Sequence, residues 1–353
     1  MAYTGGGGTW EATSLPIRPG LYINFVDKAI ESIRGGARGV VSMILTDYNG
    51  EAGDEKVYTV ESVTEAQDLF GEDNINPIRL ALSGGAQKVI VFTKDTEGAE
   101  AMNLDDVLDE LETYVFNVFV YPGLTEESDK TTIKDWVADK REEGKHFMAV
   151  FGGDIDADAD PDTGNTRSGT LEDEYVVNLI TGGTLAEEEY NSAEYAPYIA
   201  GLIAGTPINQ SITYKRVSLN DVNKRLKHSQ IEDALEAGSL VLVHDGEKVK
   251  VEQGVTTDGS KIRLVRAKQA VATDIPATAS EHYIGRLDNN EDGRIALMNA
   301  ISAYLERFEN NNILIDPVVE VDPENPPTGD KVFLLISYTE VDSMERIFLK
   351  IKV

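Results

Sequence analysis

The 353-residue chain predicts an α/β fold: a mostly parallel, doubly wound sheet domain, then a smaller α+β C-terminal domain, with an extended strand arm at each end. Three observations carry this expectation. Short, nearly continuous apolar runs recur through the first half with helix signals between them, which suits strands covered on both faces. A hairpin signature and one long amphipathic helix follow beyond residue 218. Both ends read as extended chain, and the last strand has a period of two.

Taken in order, Gly5-Gly6-Gly7-Gly8 opens an extended stretch that runs through Trp10, Leu15, Pro16, Ile17 and Pro19 to Gly20-Leu21-Tyr22. Residues 1–20 are read as an N-terminal arm and 21–217 as the α/β domain. Its strands are expected at 40–45, 88–92, 116–121, 146–151 and 175–180. Between them, Thr64-Glu65-Ala66-Gln67 reads as a capping box for a helix that stops at Gly71, and Asn76-Pro77 opens a second helix ending at Gly84-Gly85. Helices around 104–113 and 133–143 continue the alternation, and one at 193–204 ends it. Residues 154–165, with Asp156, Asp158, Asp160 and Asp162 alternating, read as an exposed acidic loop.

The second domain is placed at 218–342. A helix at 231–237 stops at Gly238, and strands at 240–244 and 248–251 flank the turn Asp245-Gly246. Ile295, Met298, Ile301, Leu305 and Phe308 recur at spacings of three and four along one helix. The proline-rich run 322–327 reads as a linker, leading to strands at 331–339 and 346–353. In the last strand Ile347, Leu349, Ile351 and Val353 share one face, and Arg346, Lys350 and Lys352 the other. Residues 343–353 are assigned as a C-terminal arm. Pattern alone favours pairing of such a strand within its own domain, as most terminal strands do.

Composition narrows the function. The 32 basic and 62 acidic residues give a formal charge of −30, which disfavours direct nucleic-acid binding where no basic cluster offsets it. No apolar run is long enough for membrane insertion, and the first residues lack a signal-peptide pattern, so a soluble protein made in the cytoplasm is expected. Zero cysteines removes disulfides, thiolate catalysis and thiolate metal sites. His146, His228, His244 and His282 sit in no metal or nucleophile motif. The glycine pairs at 84–85, 152–153 and 182–183 complete no dinucleotide or phosphate-loop fingerprint. The run from Asp288 through Asn290, Asp292 and Gly293 matches the first half of a calcium loop, but Asn299 stands where a bidentate glutamate belongs. No enzyme, cofactor or metal is therefore expected. An α/β nucleotide-binding enzyme, suggested by the sheet and glycine turns, and a non-contractile scaffold are the alternatives.

Four segments, in order, resemble the tail sheath proteins of contractile phages and R-type bacteriocins, or tailocins. Arg18-Pro19-Gly20-Leu21-Tyr22-Ile23 is similar to the entry that follows that family's N-terminal arm. Residues 76–91 resemble its helix, glycine turn and central strand. Ala196-Pro197-Tyr198-Ile199-Ala200-Gly201-Leu202-Ile203-Ala204-Gly205-Thr206-Pro207 is similar to its alanine-glycine helix. Gly254-Val255-Thr256-Thr257 with residues 261–266 resembles the start of its C-terminal core. The chain approaches the family's minimal two-domain form.

The resemblance implies a structural subunit forming hexameric rings that stack around a tail tube and contract to drive it through a cell envelope. It implies neighbouring sheath subunits, the tail tube protein, the baseplate and a tail terminator as partners. The setting would be a virion tail or tailocin particle assembled in the bacterial host cytoplasm. On this reading Trp10, Leu15, Ile17, Ile347, Leu349, Ile351 and Val353 form inter-subunit strands, reversing the preference for pairing at home. Asp288, Asn290, Asp292 and Arg294, ahead of the long helix, are the candidates for facing the tube.

Overall fold

The computed structural model describes residues 38–96 and 101–352, and the backbone of 6–8 and 20–22. Strands β1 (Gly6–Gly8) and β2 (Gly20–Tyr22) pair in parallel. The body then alternates as expected. It runs through β3 (Val40–Leu45), β4 (Lys56–Val60), α1 (Val63–Phe70), α2 (Asn76–Gly84), β5 (Lys88–Thr93), α3 (Leu104–Leu111) and β6 (Val118–Val120). It continues with α4 (Glu127–Glu142), β7 (Met148–Phe151), α5 (Ile155–Ala159), α6 (Pro161–Leu171) and β8 (Val176–Leu179).

After the small strands β9 (Gly183–Leu185) and β10 (Glu188–Tyr190), α7 (Ser192–Gly205) returns along the sheet. A shorter series follows: β11 (Asp221–Val222), α8 (His228–Glu236), β12 (Ser239–Leu240), β13 (Leu242–His244) and β14 (Val249–Val251). Two long helices, α9 (Ile262–His282) and α10 (Glu291–Asn310), and the strands β15 (Leu314–Val321) and β16 (Leu334–Glu340) complete the chain.

The main sheet has the order β12-β8-β7-β6-β3-β5-β4. Five of its pairings are parallel and the edge pairing of β4 with β5 is antiparallel. Every residue of β3, β6, β7 and β8 is buried, which is why those segments read as nearly continuous apolar runs, broken only by the buried Ser42 and Asn178, rather than alternating ones. Beneath α4, Trp136 packs against Phe116, Phe119 and Phe147 with ring centroids 4.7–6.2 Å apart.

The glycines at 84, 201 and 205 serve a helix crossing. A Cβ on Gly84 would lie 2.2 Å from the Tyr198 carbonyl oxygen, and one on Gly201 would lie 2.0 Å from that of Ala81. The backbones of α2 and α7 therefore touch, which only glycine permits.

Several expectations change. The first helix is capped by Ser62, whose Oγ accepts from the Glu65 N–H, while Glu65 Oε2 accepts from the Glu61 N–H; the box sits two residues before Thr64. Residues 154–165 are not an open loop: Asp154 and Asp160 cap α5 and α6, and Asp158 is 1 % exposed. Its carboxylate accepts from the Ser192 N–H at 2.7 Å and from Asn223 Nδ2 at 2.9 Å. These hydrogen bonds are the reason an acidic residue tolerates the interior there.

The division expected at 217/218 falls inside one core. Leu219, Val222, Leu240, Leu242, Val249, Val251, Ile262 and Val265 join the hydrophobic cluster of the sheet, and β12 extends the sheet itself. A second cluster begins at Ala267 and gathers Ala270, Ala300, Ile301, Tyr304, Leu305, Phe308 and Leu314. Helix α9 therefore belongs to both cores. Buried Asp274 on α9 reinforces the join, receiving Arg38 Nη2 at 2.7 Å and the Tyr304 hydroxyl at 2.6 Å.

The run 322–327 is a hairpin loop rather than a tether. The Asp322 N–H donates to the Phe333 carbonyl, and the Asp322 carboxylate accepts from the Glu324 N–H and Asn325 Nδ2. This Asx-type closure leads straight into β16, which pairs antiparallel with β15. The strand expected at 346–353 is not formed among the described residues: 341–352 belong to no helix or strand.

Candidate functional site at the C-terminal hairpin

Strands β15 and β16 alternate in burial, as a two-stranded ribbon lying on a helix should. Val319, Leu334, Ile336 and Tyr338 pack towards the second core, while Ile315, Val318 and Leu335 face outwards and are 43–48 % exposed. Each strand has one strand partner among the described residues, leaving an edge open on each side. The two edges differ. β15 carries a register shift between Ile315 and Val318, with Asp316 at φ +54 and Pro317 beside it, features that interrupt pairing. β16 has neither.

Beyond β16 the chain is pinned before it is released. The Val341 N–H donates to the Ile313 carbonyl. Lys261 Nζ bonds the Asp342 carboxylate, and Arg263 Nη1 donates to Ser343 Oγ at 2.9 Å. Glu345 is the last fixed point. Its Oε1 accepts from Thr213 Oγ1 at 2.8 Å with Ser211 Oγ 3.2 Å away, and its Oε2 accepts from Gln253 Nε2 at 2.9 Å with Lys261 Nζ at 3.1 Å. Burial alone would pull the Lys261 ammonium down, but its bonds to Asp342 and Glu345 raise it above its ordinary value.

After Glu345 the side chains stand in solvent: Ile347 is 66 % exposed, Phe348 91 %, Leu349 83 % and Ile351 83 %. The predicted strand residues Ile347, Leu349 and Ile351 thus lie together on an unpaired segment. Trp10, Leu15, Ile17 and Val353 lie outside the described residues. The segment 346–352 carries Arg346, Lys350 and Lys352 and no acid, whereas residues 314–340 carry Asp316, Glu320, Asp322, Glu324, Asp330 and Glu340 against Lys331 alone. An exposed segment with alternating apolar residues and basic charge thus follows a hairpin that is acidic as a whole, with Glu340 the one acid on β16 itself.

The second candidate group splits by role. Asn290 caps α10, its Oδ1 accepting from the Gly293 N–H at 2.8 Å, and Arg294 Nη1 donates to Asn289 Oδ1 at 3.0 Å. Asn289 Nδ2 in turn donates to the Gly329 and Lys331 carbonyls, tying the start of α10 to the β15–β16 loop. Asp288 and Asp292 are exposed. Sequence reasoning missed the Glu345 clamp, whose donors come from residues 211, 213, 253 and 261; no local pattern signals such a convergence.

The carboxyl ends of the parallel strands, where α/β enzymes bind ligands, are occupied by the protein's own groups. A Cβ on Gly152 would meet the Ser192 and Ala193 backbone at 2.2 Å. Arg167 donates through Nε to Asn178 Oδ1 at 2.7 Å, and burial lowers its pKa. Lys130, fully buried, donates to Glu127 and to the Thr125 carbonyl; its pKa too is lowered by burial. Burial pushes the Asp158 carboxyl up to about 6, against the hydrogen bonds from Ser192 and Asn223. These groups are held by hydrogen bonds to neighbouring side chains and backbone.

The mixed α/β body joined through a shared helix to a small α+β domain is a fold shared with solved sheath proteins. It aligns with the crystal structure of the sheath tail protein from Desulfitobacterium hafniense at a TM-score of 0.71, with 18 % identity over 91 % of this chain and 100 % of that one. It aligns with the anti-feeding prophage helical sheath in its contracted state at a TM-score of 0.72, with 17 % identity over 95 % and 98 % of the two chains. The tail sheath protein of Clostridium phage phiCD119 is 24 % identical, covering 94 % of this chain and 98 % of its own length. Residues 97–257 match the phage tail sheath protein central domain, and residues 255–353 match the phage tail sheath C-terminal domain. The chain belongs to the phage tail sheath family.

Proposed function

We propose that this chain is the repeating subunit of a contractile sheath: hexameric rings that stack around a tail tube and contract to drive it through a target envelope. The observation that carries the reading is the segment 346–352, whose apolar side chains are exposed beside a hairpin of opposite charge. Each subunit lends that strand to the C-terminal hairpin of a neighbour, and residues 1–20 act as the second arm. Main-chain hydrogen bonds supply the affinity and the alternating side chains the register. Each such bond nets about 0.5–1.5 kcal/mol, so a woven set of strands holds the lattice together while larger faces slide past one another.

The extended sheath is then a metastable assembly, and contraction releases energy by burying new surface between subunits. Asp288 and Asp292, with the cap residues Asn290 and Arg294 behind them, face the tube. The rings end at a baseplate on one side and a terminator on the other. Assembly takes place in the bacterial host cytoplasm, in a virion tail or a tailocin.

Electron microscopy of the purified chain tests the reading. Striated tubes in a long and a short form are expected, and none from a chain lacking residues 346–353. A truncated chain that still builds contractile sheaths refutes the woven-strand account. Tubes of one fixed length would point to a non-contracting scaffold.

A further inference from the structure

The connection from β16 to the lent strand is five residues long, 341–345, within the range that closes an ordinary β-hairpin. Nothing in its length stops residues 346–352 from turning back onto the open edge of their own β16. That edge is regular and unbroken, and it is the same kind of edge a neighbour offers. A monomer so closed would have satisfied its own terminal strand and would have none to lend, the alternative that strand-exchanging proteins must suppress.

The connection is not free to make that turn. It is fastened at three successive points to elements outside the hairpin: Asp342 to Lys261, Ser343 to Arg263, and Glu345 to Lys261, Thr213 and Gln253. Lys261 and Arg263 sit at the start of α9, and Thr213 and Gln253 on the loops packed beside it. A hairpin turn in this place would carry Glu345 away from those donors. The Glu345 side chain is only 9 % exposed, so the bonds are sheltered from solvent competition.

Resting on the strand-lending reading above, we infer that the Glu345 clamp selects pairing between subunits over pairing within one. It holds the root of the terminal strand away from its own β16 and so keeps the strand available to a second copy of this chain. Glu345 is a positioning residue: it touches no neighbour itself and acts through the direction in which residues 346–352 leave.

Glu345→Ala tests this in the full chain. At concentrations below assembly, wild-type amides of 346–352 exchange with solvent unprotected, and in the variant they become protected as the strand closes on β16. Charged hydrogen bonds of this kind shift such an equilibrium by roughly 10- to 100-fold, so the concentration needed to form tubes rises by a similar factor. If Glu345→Ala does not fold, Glu345→Gln is read the same way, because it keeps the shape of the side chain but removes the charge that Lys261 and Gln253 hold. A folded variant that stays unprotected at 346–352, or assembles at the wild-type concentration, overturns the inference. The truncation lacking 346–353 separates the two ideas. If it assembles, strand lending itself fails; if it does not while Glu345→Ala does, only the clamp fails.

Discussion

Leu349→Ala separates the stability of the subunit from that of the assembly. Leu349 is 83 % exposed in the isolated chain, so truncating it removes almost nothing that folding buried. Under the proposed strand lending, the same side chain is covered in a neighbour's hairpin. Three carbon groups are lost, each worth about 0.8 kcal/mol when buried, and about four-fifths of that surface is still open to cover. The loss is about 2 kcal/mol per added subunit, or roughly a 30-fold rise in the critical concentration for assembly.

The assay is paired. Urea unfolding of the monomer, followed by the fluorescence of buried Trp136, is expected to shift by less than about 0.5 kcal/mol, as exposed substitutions do. Sedimentation of tubes across a concentration series gives the second number. Equal losses in both measurements would mean that Leu349 packs within its own chain. No loss in either would mean that it is not covered on assembly, and the strand-lending argument would fall with it.

Other consequences follow from the body. Gly201→Ala places a Cβ 2.0 Å from the Ala81 carbonyl oxygen; overpacking of about 1–3 kcal/mol exceeds the roughly 1 kcal/mol of helix propensity returned, so the urea midpoint falls, and a rise would refute the backbone contact. Asp158, whose carboxyl is raised to about 6, binds its proton more tightly folded than unfolded. Its contribution to stability is therefore full below about pH 4 and is lost as the pH rises through 6. Asp158→Asn removes that slope, an effect of about 2–3 kcal/mol, and unfolding curves from pH 4 to 7 check it. Reversing Asp288 and Asp292 to lysine leaves tube-free sheath assembly intact but changes the salt dependence of assembly on the tail tube; an unchanged dependence, measured by co-sedimentation, places these residues away from the tube.

What was legible in the sequence follows a physical rule. Segments buried on both faces, such as β3 and β5, announce themselves because nearly every position is apolar, and α2 because Pro77 and the glycines at 84–85 mark its ends. Helix α9 was illegible. Arg263, Arg266, Gln269 and Asp274 are all buried in it and Pro276 stands inside it, where a sequence pattern reads a stop, so neither a 3.6-residue period nor an unbroken run is visible. Its arginines are tolerated because distant carbonyls receive them: Arg266 Nη2 donates to the Thr206 carbonyl at 2.6 Å and Arg263 Nη2 to that of Asn312 at 2.9 Å. The acidic stretch at 154–165 misled for the mirror reason, since the partners that admit Asp158 to the interior lie more than thirty residues away. The alternating pattern of 346–353 was visible in the sequence; that 346–352 form no strand among the described residues is a property of the folded chain that no local pattern records.

The long helix α9 begins among the side chains of the sheet and ends among those of the hairpin domain, with no joint between. In mechanical terms it is a beam cast into both blocks. Were a strand borrowed by the hairpin as proposed, a pull on it would be carried along α9 into the seven-stranded sheet, through the Arg38–Asp274–Tyr304 junction, instead of being lost in bending between the two blocks. Force applied at one subunit's edge would move that whole subunit, and deformation would concentrate in the segment 346–352 that leaves it.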